Sequence, residues 1–358
     1  MRQLEFGWFL PTAGDTTAYG LPEAQIPSSL ELFDRVMAAA ENAGFEYMLV
    51  PVATTCWEAW ITSAMMVGRS KTMSMLVAAR PSYINPVLLA KMIATFDQLS
   101  GGRIRINLIA GQSEAESAAD GIRSDKETRY EIMEEEVSIL KALWTTRGAT
   151  KFDGKFYQLD AAFVQPRPFQ TPHPPFYLGG GSRQAMALSA KHANVHLFWG
   201  DTYARIADNM RAITAMAAGH GRDIGFGMRL QIICRATEAE AWDFAHGLVA
   251  HATDRQKQAI KTNYATSEAN RRVQELARTH GELIEPHLWT GITQVRPGAG
   301  IAIVGNPDQC AATLQKFIDL GCHSFCLSGY LHDTEAEIFG RMVMPILRAA
   351  NPDRMAKA

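Results

Sequence analysis

The sequence predicts an α/β protein, a (β/α)8 TIM barrel with insertions, built as a single domain over residues 1–358. Three observations carry this. Eight strand-like runs alternate with helical stretches along the chain. Most runs are apolar throughout, as parallel strands covered by helices must be. Eight such units are the number that closes a barrel. A doubly wound open sheet is the alternative arrangement of the same units.

The elements follow in order. "LEFGWFLP" (4–11) is the first strand, and an amphipathic helix follows around 28–44. "YMLVPVA" (47–53) leads to a helix from Trp57, and "MSMLVAARP" (73–81) to a helix near 86–99. "IRINLIAG" (104–111) precedes a helix near 127–146. "PPFYLGG" (174–180) runs into an Ala-rich helix, and "NVHLFWG" (194–200) precedes one near 203–220. "IGFGMRLQIICRA" (224–236) precedes 238–251, and "HSFCLSGY" (323–330) precedes the last helix. Two stretches exceed ordinary connections. Residues 147–173 read as a hairpin and a Pro-rich loop, and 252–306 run from a polar helical segment into "TQVRPGAG". Long ordered insertions of this kind often serve as lids.

Composition excludes several functions. A formal net charge of -2 and the lack of a basic stripe leave no electrostatic footprint for nucleic acid. No apolar run approaches the ~20 residues of a membrane span. "MRQLEFGWFLP" reads as a mature first strand rather than a leader. The five cysteines have no paired metal spacing and read as reduced thiols, which points to the cytoplasm. No histidine pair has metal-ligand spacing, so no metal is expected.

Barrel chemistry sits at the C-terminal strand ends. Here those are Thr12 to Asp15, Cys56, Arg80, Asn107 to Gln112, Gly180 to Ser182, Trp199, Arg229, Gln231 and Tyr330. The set is cationic, polar and aromatic, with few carboxylates and no Ser-His-Asp arrangement. It suits an anionic substrate and a cofactor that brings its own reactivity. In "PPFYLGGGSRQAMALSAKHA", three glycines and a serine open a helix. That is either a phosphate cradle or a turn that needs glycine for its dihedrals.

The strand ends also resemble the bacterial luciferase-like family of flavin-dependent monooxygenases, most closely its alkanesulfonate monooxygenase branch. The matching pieces are "WFLPTAGD", "CWEAW", "ATFDQLSGGRIRINLIAG", "ETRYE", "PPFYLGGGS", "LFWGD", "FGMRLQIICR", "VRPGAG" and "LSGY", in order along nearly the whole chain. The resemblance implies reduced FMN supplied by a separate NAD(P)H-dependent flavin reductase, O2 as co-substrate, and a homo-oligomer, dimer or tetramer. The implied reaction is oxidative desulfonation of an organosulfonate to an aldehyde and sulfite. It places the FMN phosphate at Gly180, Gly181 and Ser182, and further flavin contacts at Val52, Ala53, Asn107, Glu116, Arg129 and Tyr130. Val52 and Ala53 are otherwise barrel lining, Glu116 a solvated loop acid, and Arg129 and Tyr130 an outer helix pair.

On the substrate side the resemblance implies Arg229, Arg296, Tyr330, Trp199 and Cys56. Arg229 lies inside "FGMRLQII", and a buried cation is costly unless it meets an anion, either a substrate or an internal carboxylate. Arg296 sits in a flexible loop that either closes over the site or stays at the surface. Trp199 and Cys56 double as core residues, and Tyr330 as a hydrogen-bonded core tyrosine. Two positions depart from the branch, which reads "LPTHGD" and "RLH" where this chain has Ala13 and Gln231. Gln231 donates a hydrogen bond but does not titrate. These departures leave open a non-sulfonate substrate, either another organosulfur compound or a heterocycle. They also leave open a non-catalytic flavin-binding protein.

Overall fold

The computed structural model describes residues 2–111 and 114–354, and Gln112 of the expected strand ends lies outside them. The apolar runs form eight parallel strands. These are β1 (Glu5–Phe9), β2 (Tyr47–Val50), β3 (Ser74–Ala79), β4 (Ile104–Leu108), β5 (Phe176–Gly179), β6 (Val195–Trp199), β7 (Gly225–Cys234) and β8 (Cys322–Ser328). Each pairs with its neighbour, β6 joins β7, and β8 returns to β1 with Glu5 opposite Ser324. The sheet is a closed barrel, and the open-sheet alternative falls away.

Alternation along β1 shows how the layers are made. Phe6 and Trp8 point outward, and their rings pack on Phe339 and Phe45 of the helical layer. Glu5, Gly7 and Phe9 point inward. The Glu5 carboxylate meets Arg105 of β4 at 2.6 Å, with the guanidinium 4.8 Å over the Tyr47 ring. The Tyr47 hydroxyl is 3.0 Å from Ser324 Oγ. Burial works to raise the Glu5 carboxyl, but Arg105 and the hydrogen bonds of Tyr177 and Ser324 outweigh it and hold it below the ordinary range. This network closes the barrel floor, so the space for ligands lies at the mouth.

The insertions are ordered. Residues 147–173 contain the expected hairpin, Thr150–Asp153 against Gln158–Ala162. The second insertion holds helices Asp254–Asn263 and Glu268–His280. It returns through Ala302–Gly305, which runs parallel to Gln231–Cys234 of β7. The helix Glu238–Val249 follows β7 as expected and packs on both β7 and this added strand. One feature adds to the sequence reading: a further helix, Pro307–Leu320, capped by Asn306, packs on the added strand, β7 and β8.

Gly7 is required by its neighbour, since a Cβ there would sit 2.1 Å from the Tyr47 ring. Overpacking of this kind costs typically 1–3 kcal/mol. Gly7→Ala is therefore expected to lower the urea midpoint by about that much in free energy, read by far-UV circular dichroism.

Candidate active site

The βα loops surround a cavity of about 1920 Å³ at the barrel mouth. Val52, Ala53, Cys56, Asn107, Glu116, Arg129, Tyr130, Gly180, Gly181, Ser182, Trp199, Arg229, Arg296 and Tyr330 all line it. Ala13 does so as well. Gln231 does not. It is fully buried, its amide N–H donates to Ala299 O at 3.0 Å, and its carbonyl accepts from Ser328 Oγ at 2.6 Å. The expectation that it would face a substrate gives way to a supporting place beneath the 294–300 loop. Its hydrogen-bonding groups are already occupied there.

One side of the cavity is formed by the glycine turn and the helix it opens. Ser182 caps the helix Arg183–His192, its Oγ accepting from Ala185 N–H at 3.1 Å. Gly180 has φ +127°, and a Cβ there would lie 3.0 Å from Ala185 Cβ and 3.7 Å from the Tyr130 hydroxyl. Only glycine fits this turn, and a Cβ would fill the cradle. The free N–H groups of the helix start and its positive dipole end favour a phosphate or similar anion. Burial pushes the Tyr130 phenol above its usual range, with the neighbouring Ser182 hydroxyl working the other way, so it stays neutral.

The next wall is held by ion pairing. Arg80 Nη2 donates to Glu116 at 2.9 Å and to the carbonyl of Val52 at 3.3 Å. The second Glu116 oxygen accepts from Thr54 N–H at 2.8 Å. Glu116 thus fixes the loop that presents Val52 and Ala53 and is no solvated loop acid. Arg129 is buried and donates to the carbonyls of Ala110 and Ser124 at 2.8 and 2.5 Å.

The deep end is cationic. Arg229 faces Trp199 across the β6–β7 ladder, and its guanidinium stands 4.7 Å over the Phe9 ring. Its one described hydrogen bond goes to the Leu230 carbonyl at 2.9 Å. Arg296 stands 6.0 Å over the same ring and donates to the Tyr330 hydroxyl at 2.9 Å. Among the described residues neither makes an ion pair with a carboxylate. Burial weakens Arg229's hold on its proton, and Arg296 adds to that effect. A guanidinium nonetheless stays charged in proteins. Cys56 lies against Thr12, and burial raises its thiol, so it stays protonated.

Several functional neighbours carried no sequence signal of their own. Phe9 is the apolar plate under both arginines. Asp15, named only as part of a strand end, lies 2.9 Å from His332 Nδ1 and accepts the His332 backbone N–H at 2.8 Å. Tyr19 donates to the Tyr330 hydroxyl at 2.7 Å. Asn270 and Gln274, on the insertion helix, hold the Arg296 loop through Gly298 N–H at 2.9 Å and Thr293 O at 2.6 Å. That loop lines the cavity.

The barrel mouth thus carries a glycine turn at a helix start on one side and, among the described residues, two arginines without a carboxylate partner on the other. The chain belongs to the luciferase-like monooxygenase family, whose model matches residues 4–324. It is similar in fold to EDTA monooxygenase (EmoA) from Chelativorans sp. BNC1, at 18% identity and TM-score 0.77, covering 98% of this chain and 94% of that one. DmoA from Hyphomicrobium sulfonivorans gives 16% and 0.80, covering 100% and 90%. A riboflavin lyase (RcaE), solved with modified FMN and riboflavin, gives 17% and 0.79, covering 99% and 93%.

Two predictions follow from these ties. Asn270→Ala removes one loop anchor, worth about 1 kcal/mol. Proteinase K is expected to cut the 294–300 segment about fivefold faster than in wild type. The second concerns Asp15. Burial works to raise its carboxyl, but the His332 ring and the N–H groups of His332 and Thr16 outweigh it and hold it below the ordinary range. Its contribution to stability is therefore present above the unfolded value, about 4, and is lost as pH falls below that. Urea midpoints measured from pH 6 to pH 3 should show wild type losing its margin over Asp15→Asn at the acid end.

Proposed function

We propose that this protein is an FMNH2- and O2-dependent monooxygenase that oxidatively desulfonates an organosulfonate to an aldehyde and sulfite. The single observation that carries the reading is the pair of arginines, buried Arg229 and half-buried Arg296, over an apolar ring and without a carboxylate partner among the described residues. An unpaired buried charge is costly, and a bound anion removes that cost. A sulfonate oxygen pair matches a guanidinium fork. The residues also fit FMN. The glycine turn and helix start at Gly180 to Ser182 suit its phosphate, and the Val52–Ala53 loop and Asn107 border the space a flavin ring would take.

Reduced FMN, when bound, supplies the electrons that activate O2. The chain's own residues do the rest. Arg229 binds and orients the sulfonate, and Trp199 and Phe9 give the pocket apolar walls. Arg296 and its loop cover the site and exclude water. Tyr330 lines the cavity with a hydroxyl able to hand over a proton. The reading includes a separate NAD(P)H-dependent flavin reductase, a cytoplasmic location and a homo-oligomer. Exposed Ile61, Met65 and Leu88 on the helices Ala59–Val67 and Pro86–Ser100 supply apolar surface for self-association.

Two measurements test this. Ser182→Asp keeps a helix cap but sets a carboxylate against the phosphate. Fluorescence titration should show FMN affinity falling at least tenfold while riboflavin affinity holds. Equal effects on both would place the phosphate elsewhere. Rapid mixing of reduced FMN, O2 and a panel of short sulfonates should release sulfite. Arg229→Met should cost about 2–5 kcal/mol in kcat/KM, the usual loss when one side of a desolvated charge pair is deleted, with flavin affinity little changed. No sulfite from any sulfonate in wild type would overturn the substrate assignment.

A further inference from the structure

The hydroxyl of Tyr330 has more partners than a simple wall residue needs. We propose that Tyr19 is a positioning residue for Tyr330, fixing the direction in which its phenol presents its proton to the cavity. The inference rests on the reading above only in treating Tyr330 as part of the working site.

The argument begins with the oxygen's capacity. A phenol offers one proton and two acceptor directions. Arg296 has no acceptor and can only donate, and its Nη1–H reaches Tyr330 Oη at 2.9 Å. The Tyr19 hydroxyl donates to the same oxygen at 2.7 Å. Both acceptor directions are thereby taken. The proton of Tyr330 is left to point away from both donors, toward the cavity that Tyr330 lines. Burial pushes the Tyr19 phenol well above its usual range, so Tyr19 keeps the proton it donates.

The loop is built to hold Tyr19 in that place. The Tyr19 backbone N–H donates to Leu248 O at 2.8 Å, at the end of the helix Glu238–Val249. Gly20 follows at φ +94°, where a Cβ would lie 2.1 Å from the carbonyl of His251, so the backbone presses against that helix end. Gln25 Nε2 donates to Thr16 Oγ1 at 2.8 Å and closes the hairpin of Asp15–Thr16 with Gln25–Ile26. At its other end, Asp15 is tied to His332, two residues beyond Tyr330. The two tyrosine rings meet edge to face, centroids 5.4 Å apart at 77°. The β1 loop is thus fastened to the end of β8 at two points, and the hydroxyl contact is one of them.

Tyr19→Phe deletes one oxygen and keeps the ring, so the edge-to-face packing and the fold survive. The free protein is labelled with 3-fluorotyrosine, and the ¹⁹F resonance of Tyr330 is assigned by its disappearance in Tyr330→Phe. In Tyr19→Phe that resonance is expected to move and broaden, because the Tyr330 hydroxyl is released to rotate. With reduced FMN and a sulfonate turned over by wild type, kcat is expected to fall about tenfold while KM stays within threefold. A Tyr330 resonance at its wild-type position overturns the inference. So does a kcat that is unchanged or raised, as expected if Tyr330 were the donor to Tyr19. If wild type releases no sulfite from any sulfonate, the substrate assignment fails, and the ¹⁹F result alone decides the role of Tyr19.

Discussion

The architecture of the mouth depends on one change of partner along β7. This strand has ten residues, and its outer edge serves two neighbours in turn. Up to Arg229 it pairs with β6, the last rung being Trp199 opposite Arg229. From Gln231 onward the same edge takes the returning strand Ala302–Gly305. Because β6 ends where the second partner begins, the chain entering Ala302 must cross directly above the barrel. That crossing is the 294–300 loop. It delivers Arg296 to the same Phe9 ring that Arg229 covers, and it buries Gln231 beneath Ala299.

The barrel treats the cations that line its interior in two opposite ways. At the floor, Arg105 is matched at once by Glu5, by the Tyr47 face and by surrounding hydroxyls, and nothing further is needed. At the mouth, the acids near Arg229 and Arg296 are committed elsewhere. Asp15 is bound to His332, and Glu116 to Arg80 and Thr54. Two guanidinium groups within electrostatic reach of each other, both near the Phe9 ring, leave the pocket short of negative charge. A carboxylate partner would make the protein more self-sufficient and the pocket useless for an anion. The contrast separates an end of the barrel whose charges are matched from an end whose charges are not.

What was legible in the sequence follows from range. The eight strands showed because their apolar runs are local. The cavity residues showed because strand ends are local too, and the family likeness sharpened their roles. The added strand at Ala302–Gly305 did not show. It is four residues long, and its partner lies about seventy residues earlier. The helix Pro307–Leu320 falls between the expected insertion, which ends at 306, and β8, a stretch to which the strand-helix alternation assigned no element. Gln231 reads as a strand-end residue of β7 at the position of the branch's histidine, and it does lie on β7. What covers it comes from residue 299, and no local pattern reports that. Tyr19, Asn270 and His332 are functional neighbours through partners between 28 and 317 positions away.

The same reasoning bears on the two departures from the alkanesulfonate branch. They look alike in a sequence, each being a histidine position filled by another residue, yet they differ physically. Ala13 is exposed and lines the cavity, so it changes the room available to a ligand and little else. Gln231 is a buried amide with its donor on Ala299 O and its acceptor under Ser328 Oγ. A histidine in its place has one ring nitrogen for each of these contacts only in the neutral tautomer that matches both. Charging that ring would turn its acceptor nitrogen into a second donor and break the contact with Ser328 unless that hydroxyl turned to accept. The residue at 231 therefore acts on the 294–300 loop, which carries Arg296, before it acts on any ligand.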